Sequence, residues 1–388
     1  MTADNKTSLL VIGAGAIGRG FLPWLFPPER VRWHFIDSNS AIINRLKSTH
    51  GFRSYRVCNN CHEDRWIPVE SAWTPSEWMK SGRKLLSETV AVFINVGPRH
   101  SVQAARLVEG YAGPVILSEN DPVTVRWVLE STAVKSVFFA VPDVIASNTA
   151  PDELLALDPL SLVTENGQML IDQGVRDLAP ELTGTLAGSI DYLPTSELLN
   201  KQWIAKLYLH NTPHCVVAYL GALAGVRYVH EAMQIPAVEK IVVGAMNEML
   251  NSLKLRWEIS HEFLDWYAGK ELARFRCPQL FDPISRVARE PLRKLEAEGR
   301  LLGAAQICLS MGFVPENVLL GIGSALFFEN CEDADFHLVL MRKALSPAVL
   351  LTYVLGLRRG EALERVLRER YDWIVEHLTE LTKQSVKS

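Results

Sequence analysis

Short β-branched runs alternate with amphipathic segments through the first half of the chain. "SLLVIG" is followed by "AIGRGFLPWLF", "VRWHFID" by "SAIINRLKSTH", "TVAVFINVG" by "RHSVQAARLVEG", and "PVILSEN" by "PVTVRWVLEST". Strands that alternate with helices in this way predict parallel crossover units. Two more extended runs, "SVFFAVPDVI" and "LSLVTENGQMLI", extend that sheet or form a β layer of their own. After about Pro194 the pattern changes. "TSELLNKQWIAKLY", "PAVEKIVVGAMNEMLNSLK", "HEFLDWYAGKELARF", "PENVLLGIGSALFF" and "GEALERVLRERYDWIVEHLTELTK" carry apolar residues three and four apart, the signature of helices with one buried face. The expected class is therefore α/β, with an α/β domain over residues 1–190 and a mainly helical domain over 191–388.

Composition narrows the partners. The 388 residues are 48% hydrophobic and 22% charged, with a net charge of −4 and a pI near 6.2. No general basic field exists to gather a polyanion, so nucleic acid is not expected, and any anionic ligand needs a local cluster. No run reaches the apolar length of a membrane span, and the start "MTADNKTS" lacks the basic and apolar regions of a signal peptide. A cytoplasmic protein, monomeric or weakly self-associating, is the expectation. The cysteines at 58, 61, 215, 277, 308 and 331 are too sparse for a disulfide framework. "CNNCH", Cys58 to His62, has the spacing of haem attachment, but that chemistry belongs outside the cytoplasm. With no second CxxC, a zinc site lacks half its ligands. A turn carrying two thiols is the preferred reading.

The first turn suggests a cofactor. "LLVIGAGAIGRGF" sets Gly13, Gly15 and Gly18 in GxGxxG spacing after a strand and at the opening of a helix. Those glycines serve a tight turn, backbone approach to a diphosphate, and close packing of helix on strand, and Ile17 falls inside the same loop. The next strand ends in Asp37, 19 residues after Gly18, where a carboxylate binds ribose hydroxyls and repels a 2′-phosphate. A Rossmann-like domain that prefers NAD is expected. Asn95 and Gly97, in the loop after a later strand, are assigned to the nicotinamide half by order alone.

"KLYLHNTPH" offers the chemistry that such a cofactor needs. Hydride transfer from an alcohol requires a base, and Lys206 serves if it is neutral at working pH. Pro213 suits a first helical position, so a helix is expected to start there with Asn211 or Thr212 as cap and its positive end near Lys206. Asn211 could then donate to the oxygen that gains charge, and His214, or His210, could hold substrate. Taken alone, the stretch is better explained by a surface-seeking lysine, a capping asparagine and a satisfied histidine, and the nucleotide fold beside it reverses that preference.

With these residues assembled, the chain resembles the polyol-specific long-chain dehydrogenase (mannitol dehydrogenase) family, and within it the mannitol-1-phosphate 5-dehydrogenase branch. "GAGAIGRGF", "FIDSN", "NVGP", "SENDPV", "AYLGALAG" and above all "RFRCPQLFDPISRVAREPLRKLEAEGRL" carry the resemblance. It implies reversible, NAD-linked, metal-independent interconversion of mannitol 1-phosphate and fructose 6-phosphate. Lys206 then matches the acid/base, Asn211 and Asn120 the oxyanion donors, and His214 the substrate-positioning histidine. Arg289, Arg293 and Lys294 are candidates for the phosphate, since 289 and 293 would share a face of one helix; a solvated face neutralised by Glu290 and Glu296 is the alternative. The chain departs from the family pattern at Val144, at Cys277 to Leu280 and at Pro213. Another polyol, a hexuronate or a specialised sugar phosphate therefore stays open as substrate, as does an NAD-binding module without turnover.

Overall fold

Alternate residues of the first strand, Thr7–Ile12 (β1), enter different apolar layers: Leu9 and Val11 join one, Leu10 and Ile12 the other. The period of two also holds in Thr89–Ile94 (β5), where Ala91 and Phe93 face the first layer and Val92 and Ile94 the second. A sheet covered on both faces is the setting in which parallel strands are found. The computed structural model describes residues 6–58, 61–119, 121–184, 188–330 and 335–385. They divide into two units, Met1–Trp203 with Gln279–Phe281, and Ile204–Pro278 with Asp282–Ser388.

The first unit holds a ten-stranded sheet. Its remaining strands are Val31–Ile36 (β2), Gly51–Cys58 (β3), Cys61–Trp73 (β4), Val115–Leu117 (β6), Val137–Asp143 (β7), Leu162–Thr164 (β8), Gln168–Asp172 (β9) and Ser189–Leu193 (β10). The order is β10-β9-β7-β6-β5-β1-β2-β4-β3-β8, and its middle, from β7 to β4, is parallel throughout. This is the doubly wound order, with its switch point between β1 and β5. Two features differ from the sequence expectation. β3 and β4 form an antiparallel hairpin that supplies the third strand of the parallel set, and Cys58 pairs with Cys61 across it. "LSLVTENGQMLI" is not one strand: β8 pairs with β3 and β9 with β7, so its two halves lie at opposite ends of the sheet.

The second unit is helical among the described residues. The helix Thr212–Leu223 is buried on every side from Thr212 to Gly221, as an all-round apolar helix must be. Helices Pro236–Arg256, Ile284–Ala288 and Glu316–Leu326 pack on it. The approach is close because glycines stand at the crossings: a Cβ on Gly221 would lie 2.5 Å from Ile284, and one on Gly321 2.5 Å from Val216. His261–Phe275 and Ala362–Ser385 complete the main helices. No helix among the described residues is long and apolar enough to cross a membrane.

Candidate active site

The glycine loop sits at the switch point, and each glycine has a separate geometric reason. Gly13 has φ +99°, and a Cβ there would lie 2.5 Å from the Asn95 carbonyl oxygen. A Cβ on Gly18 would lie 2.1 Å from the Gly13 carbonyl oxygen and 2.9 Å from Val11, so only glycine lets helix meet strand. At Gly15 a Cβ would meet nothing within 4 Å, and the open space suits an incoming diphosphate. Residues Ala16–Phe21, Ile17 among them, form a wide π turn rather than the expected α-helix, followed by a 3₁₀ turn at Leu22–Trp24. Pro23, with no N–H to give, falls in that tighter turn.

Charged side chains brace the loop. Asp37 accepts from Ala14 N (2.6 Å) through Oδ2 and from Asn39 N (2.7 Å) through Oδ1, which leaves further lone pairs for a ribose. Arg19 is buried. Its Nε donates to Ala14 O and its Nη1 to Leu160 O, both at 2.6 Å. Burial pulls its pKa down to about 10, with Asp37 and Asp158 opposing. Across the switch point, Glu119 Oε1 accepts from Val96 N (2.9 Å) and Gly97 N (3.0 Å) and so fixes the loop after β5. The amide atoms of Asn95 are buried with no hydrogen-bond partner among the described residues. Unpaired amide atoms beside an open glycine loop are what a bound polar ligand would satisfy. A dinucleotide fits these residues.

In the second unit, Lys206–Asn211 is again a π turn and runs straight into Thr212–Leu223. The helix does not start at Pro213. Asn211 has helical dihedrals (φ −65°, ψ −35°) and caps nothing. The physical reason is that widening: a proline inside a helix crowds the carbonyl four residues back, and a π turn gives it room. Lys206, His210, Asn211 and His214 are each only 5–6% exposed.

Two histidine–carboxylate pairs stand side by side. His214 Nε2 lies 2.7 Å from Asp282 Oδ2, and Arg286 Nε donates to Asp282 Oδ1 at 3.0 Å. Burial raises the Asp282 carboxyl, but Arg286 and His214 outweigh it and hold the group well below the usual carboxylate range. His210 Nδ1 lies 2.5 Å from Glu271 Oε2, and burial pulls this ring down to about 4 despite Glu271. The two imidazole centroids are 4.9 Å apart, and Phe275 stacks on His214 at 5.1 Å.

The basic cluster is built differently from the expected helix face. Arg289 is extended (ψ 153°) and Glu290 left-handed (φ +54°), and a short helix restarts at Pro291–Lys294. Pro291 causes the break, because the residue before a proline avoids the helical region. Arg293 pairs with Glu290 at 3.1 Å, the Arg289 side chain is 61% exposed, and the Lys294 amine is buried on the carbonyls of Val287 and Arg289. Asn120 lies outside the described residues. Sequence reasoning gave no role to Arg19, Glu119, Glu271, Asp282 or Arg286. Glu119 and Asp282 stand inside quoted motifs, and nothing in one dimension points to Glu271.

The glycine loop, with the Asp37 carboxylate beside it, is that of a nicotinamide-linked oxidoreductase. The chain belongs to the mannitol dehydrogenase family, in its mannitol-1-phosphate 5-dehydrogenase branch. Residues 200–348 match the mannitol dehydrogenase C-terminal domain. A mannitol-1-phosphate 5-dehydrogenase of Clostridium acetobutylicum is 31% identical over 94% of this chain and 98% of its own. One from Caldanaerobacter subterraneus subsp. tengcongensis is 26% identical over 93% and 97%. Among solved structures, Pseudomonas fluorescens mannitol 2-dehydrogenase, in ternary complex with NAD and D-mannitol, shares the fold. Its TM-score is 0.73 at 16% identity, over 100% of this chain and 96% of that one.

Proposed function

We propose that the protein is an NAD-dependent, metal-independent dehydrogenase interconverting a hexitol phosphate and a ketose phosphate, of the mannitol 1-phosphate and fructose 6-phosphate type. The observation that carries this reading is full-length kinship, at 31% identity, with a relative of that name. When bound, the nicotinamide supplies the hydride chemistry. Gly13, Gly15, Ile17 and Gly18 receive the diphosphate, Asp37 the adenosine ribose, and Asn95 and Gly97 the nicotinamide half. Lys206 takes the hydroxyl proton as the alcohol carbon gives up hydride, and returns it when the ketone is reduced. Asn211, with Asn120, donates to the oxygen where charge gathers, and His214 holds a hydroxyl. Arg289 and Arg293 meet the phosphate dianion, and Lys294 holds the loop between them.

A second reading keeps the chemistry and changes the sugar, toward another polyol, a hexuronate or a specialised sugar phosphate. Val144, Cys277 and Pro213 favour it, since the resemblance is weakest there. The deciding experiment follows NADH oxidation with fructose 6-phosphate beside fructose, hexuronates and a panel of keto sugar phosphates. A higher kcat/KM for fructose 6-phosphate than for any other member is expected. Preference for an unphosphorylated ketose would move the assignment to the second reading, and no oxidation with any member would leave a nucleotide-binding protein.

A further inference from the structure

Lys206, His210 and His214 follow at four-residue intervals and so share one side of the helical run. Of the three, His210 lies outside the lysine, asparagine and histidine pattern of the family, yet it is held as firmly as His214. Glu271, which binds its Nδ1, is fully buried. The other Glu271 oxygen lies 2.5 Å from the Arg274 guanidinium and 3.5 Å from the Lys270 amine. A carboxylate compensated in this way only accepts, so Nδ1 carries the proton of a neutral ring and Nε2 is left with a lone pair. Burial keeps the ring neutral, with Glu271 opposing and His214 and Arg274 assisting. Nε2 has no hydrogen-bond partner among the described residues. His214 likewise turns its Nε2 to a carboxylate of its own, Asp282. Two imidazoles 4.9 Å apart, both buried and each pinned by its own carboxylate, thus stand side by side.

We propose that His210 Nε2 accepts a hydrogen bond from a second hydroxyl of the open-chain polyol, and that Glu271 is the positioning residue that fixes its tautomer and angle. A ring held beside His214 suits a chain bearing hydroxyls on neighbouring carbons, and the acceptor Nε2 of His210 favours a hydroxyl donor over a second anion. The inference rests on the polyol reading above and adds to it a specificity determinant.

The test is His210→Asn, whose amide can still donate to Glu271 from near the Nδ1 position while nothing replaces Nε2. KM for the ketose is expected to rise about tenfold, with kcat changed by about twofold at most, because a lost contact made equally in ground and transition states appears in KM. NADH affinity and the acid limb of the pH profile stay at parental values. Among monodeoxy analogues of the substrate, one should show no further loss in His210→Asn beyond its loss in the parent. Glu271→Gln should move KM in the same direction by less. Should His210→Asn not fold, His210→Gln carries the test, since its amide reaches the Nε2 position and a KM near the parent's is expected. An unchanged KM in the Asn variant, equal additive losses for all deoxy analogues, or a fall in kcat with a displaced acid limb would each overturn the proposal, the last by making His210 a partner of Lys206. A parent that reduces no ketose fails before any variant is made and sinks the dehydrogenase reading itself.

Discussion

An ammonium moved from water into apolar surroundings loses its hydration, and Lys294 illustrates the consequence for stability. Burial pulls its pKa from 10.5 to about 7, with Cys215 opposing and Arg300, Arg293 and Arg289 assisting. Between those values the unfolded chain binds a proton that the folded chain does not, so stability rises with pH across the window. The penalty is complete below the folded value and is relieved as pH approaches the unfolded one. Lys294→Met should remove a rise of a few kcal/mol in unfolding free energy between about pH 7 and about pH 9.5, read by urea denaturation. A slope equal to the parent's would mean that Lys294 is charged in the fold. The residue also marks a limit of one-dimensional reading. A basic side chain in "PLRKL" reads as a ligand, whereas its amine closes on two backbone carbonyls, a contact that only the turn at Glu290 creates. The role proposed for Lys206 rests instead on its spacing to Asn211 and His214. Lys206→Ala should lower kcat by roughly 10² to 10⁴ while NADH affinity holds, and the acid limb of polyol oxidation should vanish. Parental kcat in that variant would remove the lysine from the mechanism.

At the scale of elements, the glycine loop separates two kinds of constraint that look identical in sequence. Gly18 is demanded by the fold, because a Cβ would lie 2.1 Å from the Gly13 carbonyl oxygen, while Gly15 has open space and meets no such demand. Gly18→Ala should therefore destabilise the first unit and shift its thermal transition. Gly15→Ala should melt like the parent but bind NADH more weakly by roughly an order of magnitude, as isothermal titration would register. Equal binding by parent and Gly15→Ala would place the diphosphate elsewhere. The main strands and the long helices were legible because period two and period 3.6 are written into their apolar positions. The π turns at Ala16–Phe21 and Lys206–Asn211 were not, since they arise from local relief around prolines and packing, and they leave the apolar period nearly intact. β3 and β4 were also missed. Their sequence, rich in arginine and acidic residues, pairs Arg53 with Asp64 on one face and Arg56 with Glu63 on the other, and so carries little alternation.

For the molecule as a whole, the fold class was legible and the strand order was not: four crossover units imply a parallel sheet, but long-range pairing decides that β8 joins β3 while β9 joins β7. The β3–β8 pairing brings together residues more than a hundred apart, and Arg53 N to the Asp158 carboxylate is a further contact of that span. The same holds for the chemistry, in which the groups that set each histidine's role come from distant parts of the chain, Glu271 for His210 and Asp282 for His214. This arrangement bears on metal use. A histidine ligates a metal through a free nitrogen backed by a second-shell acceptor, and its metal then sits among further carboxylate, thiolate or imidazole ligands. Here the nearby carboxylates are already engaged, Asp282 by Arg286 and Glu271 by Arg274, and among the described residues no group of three or more histidine, cysteine, aspartate or glutamate side chains is placed to hold a metal ion. Metal independence is part of the proposed reaction, in which Lys206 carries the proton. Exhaustive dialysis against a chelator should therefore leave kcat and KM for the ketose unchanged, with metal content followed by elemental analysis in the same samples. Loss of activity that added zinc or magnesium restores would overturn the lysine-based mechanism, whereas loss that no metal restores would point to damage by the treatment, to be checked by circular dichroism.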